Sequence, residues 1–339
     1  EMKEIRKSFK SLNVQLDDFQ AMLVPKKRNE PPTTTAVAGI TNAGNSCYMN
    51  SALQGLLASP VIIHRIKAYN KNPVPKHESF MPILKEFLIA YLNKSNKAIG
   101  ECASKLRAEL YQTRLKHLDV PYLSAMADAD LIVMVLGEAL QLEYPVIARR
   151  TAQAGVAVDK TVINETFVGD VPFKQLLWNE CKTSGAKGEP SLQERFIQDT
   201  IEANKEHDLG WKTDAKDGTP VTINEASIAY KIDGRPPPVL VFKVGKSHGR
   251  GMDAPFTPYG VQARDEFLDA SKAFMVPPED GAKYRLISVL INHNRWHWTA
   301  ITRREGGWYH CNDNAVDYLG KELPQADAAV MIYELVNPG

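Results

Sequence analysis

The chain has 339 residues, and its 41 Lys plus Arg against 40 Asp plus Glu give a formal net charge of +1. That balance argues against a dedicated nucleic-acid binder, which would carry a basic excess gathered on one face. Hydrophobic residues at 44% and charged residues at 24% supply an ordinary globular core and exclude global disorder, and at about 150 residues per domain the length suits two domains or one large one with insertions.

Ile5, Phe9, Leu12, Leu16, Phe19 and Leu23 recur at helical spacing and predict an amphipathic helix over residues 2–23. Pro25, Pro31 and Pro32, with Lys26, Lys27, Arg28 and Thr33–Thr35, then read as a linker. The helix either packs on the main domain or offers its face to a partner or a membrane surface, and both readings stay open. The sequence begins at Glu1 rather than Met and reads as a fragment, so any targeting segment upstream lies outside it.

Glycines at 39 and 44 mark a turning loop, Asn45 or Ser46 suits an N-cap, and Met49, Leu53, Leu56 and Leu57 form an apolar helical stripe stopped at Ser59-Pro60. Cys47 therefore falls in the first turn of a helix. There the positive dipole end and free amides favour a thiolate nucleophile, and neighbouring amides can receive an oxyanion. A buried structural cysteine is the competing reading, and the loop alone does not decide between them.

Residues 80–144 are helical in pattern, with breaks expected at Gly100 and Pro121 and an end before Pro145. The longest aliphatic run, Leu131 to Leu136, is six residues, too short to span a membrane. From 150 to 235 the composition turns to Thr, Val, Gly and Lys, with strand-like runs such as Ala226–Ile232 and one helix expected over Ser191–Asn204. Strands are expected at Val239–Val244, Arg285–Ile291, Trp298–Thr302 and Val330–Leu335. Helices first and a mostly antiparallel sheet after them make an α+β chain.

Cysteines stand at 47, 102, 181 and 311 with no CxxC pair, which excludes a zinc ribbon or thioredoxin motif and points to a reducing compartment. His293 and His297 have H-x3-H spacing, but Asn294 occupies the glutamate position of HExxH and the flanks are strands, so no metal site is expected. A histidine opening a strand is instead well placed as a general base. If Trp298–Thr302 and Gly307–Asn312 form a hairpin around the four residues Arg303–Gly306, His297 lies opposite Asn312 on one face and Asp313 points to the other. Asn312 is then the residue that orients the histidine, with Asp313 as the alternative.

Residues 39–54 resemble, almost throughout, the cysteine box of the ubiquitin-specific proteases, G-L-x-N-x-G-N-T-C-Y-M-N-S-x-L-Q, with Ile40 for Leu and Ser46 for Thr. Tyr284, Leu286, Val289, His293, His297, Trp308, Asn312, Asp313 and Val316 fall in order on that family's histidine box. Asp128-Ala129-Asp130 with Leu131–Leu140, Pro236–Val244 and Ala329–Tyr333 are similar to its intermediate and final boxes. The resemblance implies a papain-like fold of the ubiquitin-specific type: a helical thumb over about 36–150, β fingers over about 150–235 and a β palm over about 236–339, after a separate segment 1–35.

It further implies a cysteine deubiquitinase that needs no cofactor, with ubiquitin, polyubiquitin chains or ubiquitinated proteins as partners. Carried over, Cys47 is the nucleophile, His297 the base and Asn312 the third member, Asn42 helps form the oxyanion hole, and Asp128 contacts the ubiquitin tail. Arg295-Trp296 replace the family glycines before the histidine and Trp298 replaces its Tyr, so Trp296 and Trp298 are expected to line the tail channel. Met126-Ala127 replace paired glutamines, so some tail contacts are expected to be lost. Cys181 stands alone where relatives carry zinc-binding pairs, so no structural zinc is expected; Cys311 is expected to pack, and His310 to face solvent or a neighbour. The chain reads as a divergent member, monomeric and cytosolic, on the pattern of a microbial effector acting inside a host cell. A ubiquitin-binding pseudo-protease and a protease for another ubiquitin-like modifier are the alternatives.

Overall fold

A computed structural model describes residues 37–158, 161–181, 192–194, 196, 204–207, 212–214, 220–244, 261–293 and 297–336. The helix expected over 2–23, the linker after it, and Asn294, Arg295 and Trp296 lie outside the described residues.

Among the described residues five α-helices come first. α1 (Cys47–Leu56) is buried at every position, as a helix at the centre of a core must be. α2 (Pro60–Ala68) starts with proline at its first turn, and Ser59 Oγ accepts the Ile62 N–H. α3 (Phe80–Leu92) and α4 (Asn96–Thr113) pack side by side, and α5 (Ala129–Ala139) follows a loop containing Pro121. The break expected at Gly100 falls earlier, at 93–95, where Lys94 takes φ 56°. Gly100 stays inside α4 because one glycine costs a helix only about 1 kcal/mol, which the buried Ile99, Ala103, Leu106 and Leu110 outweigh.

The strands divide between two main sheets. β1 (Tyr144–Val158), β2 (Thr161–Gln175), β3 (Leu177–Cys181), β4 (Asn204–His207), β5 (Lys212–Asp214) and β6 (Pro220–Ile232) come first. β7 (Val239–Val244), β8 (Val261–Gln262), β9 (Phe267–Asp269), β10 (Lys283–His293), β11 (His297–Arg304), β12 (Gly307–Asn312), β13 (Ala315–Gly320), β14 (Asp327–Ala328) and β15 (Val330–Leu335) follow. One sheet runs β2-β1-β6-β4, with β5 also on β6; the larger runs β13-β12-β11-β10-β15-β7-β3, with β9 also on β10. β8 and β14 pair separately. Of the helix expected over Ser191–Asn204, 192–194 and 196 are helical, Asn204 instead opens β4, and the other positions lie outside the described residues.

Alternation through the large sheet sends residues to two cores. Val239, Val241, Val330 and Ile332 meet the helices, while Leu240, Phe242, Met331 and Tyr333 join Tyr144, Tyr284 and Trp308 on the far side. A strand covered on both faces reads as a continuous apolar run, and β7, Val-Leu-Val-Phe-Lys-Val, is one. Lys243 shares parity with Val239 and Val241 and therefore faces the helices, where Asp130 of α5 meets it at 2.5 Å.

Candidate active site

Cys47 is the first residue of α1 and is buried, 1% exposed. α1 packs against β11, which opens at His297, and against β10, which ends at His293. The segment before α1 crosses the two-residue turn Asp313-Asn314 between β12 and β13, and Ile40 N–H donates to the Asp313 carbonyl at 2.8 Å. This crossing explains Gly39: a Cβ there would lie 2.2 Å from the Asn314 carbonyl oxygen. Asn50 and Gln54, one turn apart on α1, tie the same segment down by donating to the carbonyls of Ile40 and Ala38 at 3.2 and 2.6 Å.

The β11–β12 hairpin corrects one expectation. Arg304 pairs with Gly307, so the loop is the two residues Glu305-Gly306 rather than four, and Arg303 and Arg304 belong to the strand. Ala300 is opposite Cys311, which puts Thr299 rather than His297 level with Asn312. Because the shift is two residues, parity is kept and Asn312 still shares a face with His297 on the diagonal. His297 Nε2 lies 2.7 Å from Asn312 Oδ1. An amide oxygen only accepts, so Nε2 carries the hydrogen and Nδ1 of the neutral ring keeps its lone pair.

Asp313 is engaged elsewhere. It takes φ 51° in the turn, and its Oδ2 and Oδ1 accept from Asn42 Nδ2 at 2.9 Å and Asn50 Nδ2 at 2.7 Å. Asn42 Oδ1 accepts the Ser46 N–H and the Ser46 hydroxyl, each at 3.2 Å. These bonds fix which end of the Asn42 amide is nitrogen and leave its second N–H without a partner among the described residues. Ser46 precedes α1 at the N-cap position, but its hydroxyl serves the loop, accepting Ala43 N–H at 2.9 Å, and makes no cap bond to the helix.

Burial pushes the Cys47 thiol above its ordinary value, against the expectation that the helix start alone would favour a thiolate. Backbone groups of Trp298, Tyr48 and Cys47 itself pull it back, while the Asp313 carboxylate adds to the rise. These influences place the sulfur beside Trp298, the neighbour of His297, and near Asp313. Among the described residues no hydrogen bond joins the sulfur to the His297 imidazole, whose Nε2 is engaged with Asn312. His293 pairs with His297 across β10–β11, the rings stacking at 6.1 Å, and donates to or accepts from Thr299 Oγ1 at 2.9 Å through Nε2. Burial first, then the His297 and His310 imidazoles, hold His293 below its usual pKa, so it is neutral at pH 7.

The other expected residues divide. Asp128 is exposed directly before α5. Trp298 is corrected from a channel-lining to a core side chain: it is 4% exposed and packs under α1, because its parity on β11 is opposite to that of His297. Trp296 lies outside the described residues. Cys311 is buried with its thiol pushed up to about 11 by desolvation, and His310 is half-buried opposite Asp317. Cys181 lies in β3. Among the described residues no three His, Cys, Asp or Glu side chains are grouped to hold a metal ion. Sequence reading gave no role to Asn50, although a polar residue on a buried helix face was a usable signal, nor to Arg107, for which no local signal existed.

The model of the ubiquitin carboxyl-terminal hydrolase family matches residues 38–333. Similar proteins include ubiquitin carboxyl-terminal hydrolase 36 of Drosophila ananassae, 24% identical over 328 residues, covering 88% of this chain and 28% of that protein. Ubiquitin carboxyl-terminal hydrolase 10-B of Xenopus laevis is 32% identical over 93 residues, covering 25% of this chain and 12% of its own. The chain thus spans less than a third of the length of these relatives. Among solved structures, the SAGA Ubp8/Sgf11/Sus1/Sgf73 DUB module bound to ubiquitin aldehyde superposes with a TM-score of 0.63 at 15% identity, covering 96% of this chain and 74% of that one. The same module bound to monoubiquitin gives the same values, and at that identity the likeness establishes the fold. With its α+β architecture and the match running from the first residues of the cysteine loop to the last strand, the chain belongs to the ubiquitin carboxyl-terminal hydrolase family.

Proposed function

We propose that the chain is a cysteine deubiquitinase that hydrolyses the bond after the C-terminal glycine of ubiquitin. The observation that carries this reading is Cys47 at the start of α1, set beside Trp298, while the neighbouring His297 ring is tethered through Nε2 to Asn312 at 2.7 Å. In this reading the helices are the thumb, the β1–β6 sheet the fingers and the large sheet the palm.

His297 Nδ1 takes the Cys47 proton and the thiolate attacks the glycine carbonyl. The oxyanion that forms is received by the second N–H of Asn42 and by backbone amides at the start of α1. The imidazolium returns its proton to the departing lysine amine, leaving a thioester on Cys47. Water, deprotonated by the same nitrogen, attacks the thioester and releases ubiquitin with a free carboxylate. Asn312 keeps the ring in the tautomer these transfers require, and the carboxylate of Asp128 faces the basic tail of ubiquitin. The site of action is the cytosol; among the described residues no helix is long and apolar enough to cross a membrane.

The test is incubation with ubiquitin carrying a C-terminal electrophile, beside probes made from other ubiquitin-like modifiers. A covalent adduct with ubiquitin that disappears in Cys47→Ala supports the reading. An adduct with another modifier alone replaces the substrate, and no adduct from folded protein removes the enzymatic reading.

A further inference from the structure

Arg107, on α4, is 4% exposed. Among the described residues no carboxylate lies within ion-pair distance of it. It spends its donors on one short stretch of backbone: Nη1 donates to the carbonyls of Ala43, at 3.2 Å, and Gly44, and Nη2 to that of Asn45 at 3.3 Å. Its guanidinium also lies over the Tyr48 ring, 5.9 Å from the centroid, and its Nε is buried without a partner. A buried charge compensated by carbonyl dipoles, a ring face and the Tyr48 hydroxyl, with no carboxylate beside it, is costly, so a fold that places one there makes use of its geometry.

That use follows from the peptide plane. In a trans peptide the carbonyl of one residue and the N–H of the next point in opposite directions. Turning three successive carbonyls onto Arg107 therefore turns the N–H groups of Gly44, Asn45 and Ser46 away from it. Gly44 and Asn45 both take positive φ, 79° and 51°, a conformation disfavoured for Asn unless it is held. Asn45 is held a second time through its side chain, which donates to the Ser124 carbonyl at 3.0 Å. The Ser46 N–H so aimed is the one that Asn42 Oδ1 accepts.

We infer that Arg107 is a positioning residue for the oxyanion arm: by fixing the 43–46 peptides it presents the Ser46 N–H that sets the Asn42 amide, and so aims the Asn42 N–H at the developing oxyanion. The inference rests on the deubiquitinase reading of this site. Lysine is no substitute, because a point donor on a flexible stem cannot bridge three carbonyls as a planar fork does.

The experiment compares wild type, Arg107→Lys, Asn42→Ala and the double variant. It measures turnover of a ubiquitin C-terminal fluorogenic amide, alkylation of Cys47 by iodoacetamide, and hydrogen exchange at the Ser46 amide. Arg107→Lys lowers kcat about 10- to 100-fold, less than the roughly 10²- to 10³-fold for losing an oxyanion donor outright because the donor is misaimed rather than removed, with KM changed less than about twofold. In the Asn42→Ala background the same substitution has no further effect beyond about twofold, since it acts through Asn42. Alkylation, which develops no oxyanion, keeps its rate, and the Ser46 amide exchanges faster. Additive losses in the double variant, or alkylation falling in step with turnover, overturn the inference. If Arg107→Lys does not fold, Arg107→Gln carries the same readouts. If wild type shows no turnover, the deubiquitinase reading fails and Ser46 exchange judges the clamp: faster exchange in the variant supports it, unchanged protection overturns it.

Discussion

Asp313 acts on the site in two opposing senses. Its charge raises the Cys47 thiol, while its Oδ2 holds the Asn42 amide at 2.9 Å. Asp313→Asn removes the charge, so the thiol pKa falls and a larger fraction is thiolate at a given pH. The pH profile of iodoacetamide alkylation is therefore expected to move to lower pH. Turnover of a ubiquitin substrate is expected to fall about tenfold in the same variant, because a charge-assisted bond to Asn42 is lost. Activity and alkylation moving in the same direction would show that the carboxylate serves only the thiol. Asn312→Ala should instead lower kcat on the order of 10²-fold, the scale of a misaligned general base, with little change in KM; an unchanged kcat in steady-state assays would reassign the orienting role.

At the scale of elements, the site is built where a loop crosses a turn. The β11–β12 hairpin is two residues out of its expected register, yet the His297–Asn312 bond forms, because strand parity survives any even shift. The 39–42 segment is less forgiving, since backbone meets backbone there. A methyl group at Gly39 would lie 2.2 Å from the Asn314 carbonyl oxygen, and every atom it meets there is backbone, which no side-chain rotation can move aside. Gly39→Ala is expected to cost about 1–3 kcal/mol, as overpacking does, and to slow turnover by displacing the Asp313 turn. Urea unfolding together with kcat checks both; a variant with normal stability and activity would mean the crossing is looser than its geometry.

The whole molecule depends on the large sheet having a covered face on each side. Lys243 lies on the helix-facing side of β7, its side chain 25% exposed and that of Asp130 7% exposed. Either partner alone leaves a charged group short of its hydrogen bond, so Lys243→Met should destabilise by about 1–3 kcal/mol. The double variant Lys243→Met, Asp130→Leu should recover most of the loss, because two apolar groups replace both buried charges. Chemical denaturation of the three variants tests this, and equal losses in the single and double variants would show that the pair contributes nothing specific.

The sequence by itself determined whatever is carried by local pattern: Cys47 opening a helix, the apolar runs at Val239–Val244 and Val330–Leu335 that are β7 and β15 to the residue, and the face shared by His297 and Asn312. These depend on helix and strand periodicity, which act over a few residues. Tertiary structure alone decided the rest. Asn42 and Asp313 are 271 positions apart and Asn50 and Asp313 are 263 apart, and Arg107 reaches Ala43 across 64. No periodicity relates such positions. Packing also decided which face of β11 is core: alternation only sets Trp298 opposite to His297, and it is the helices covering that face that bury the ring.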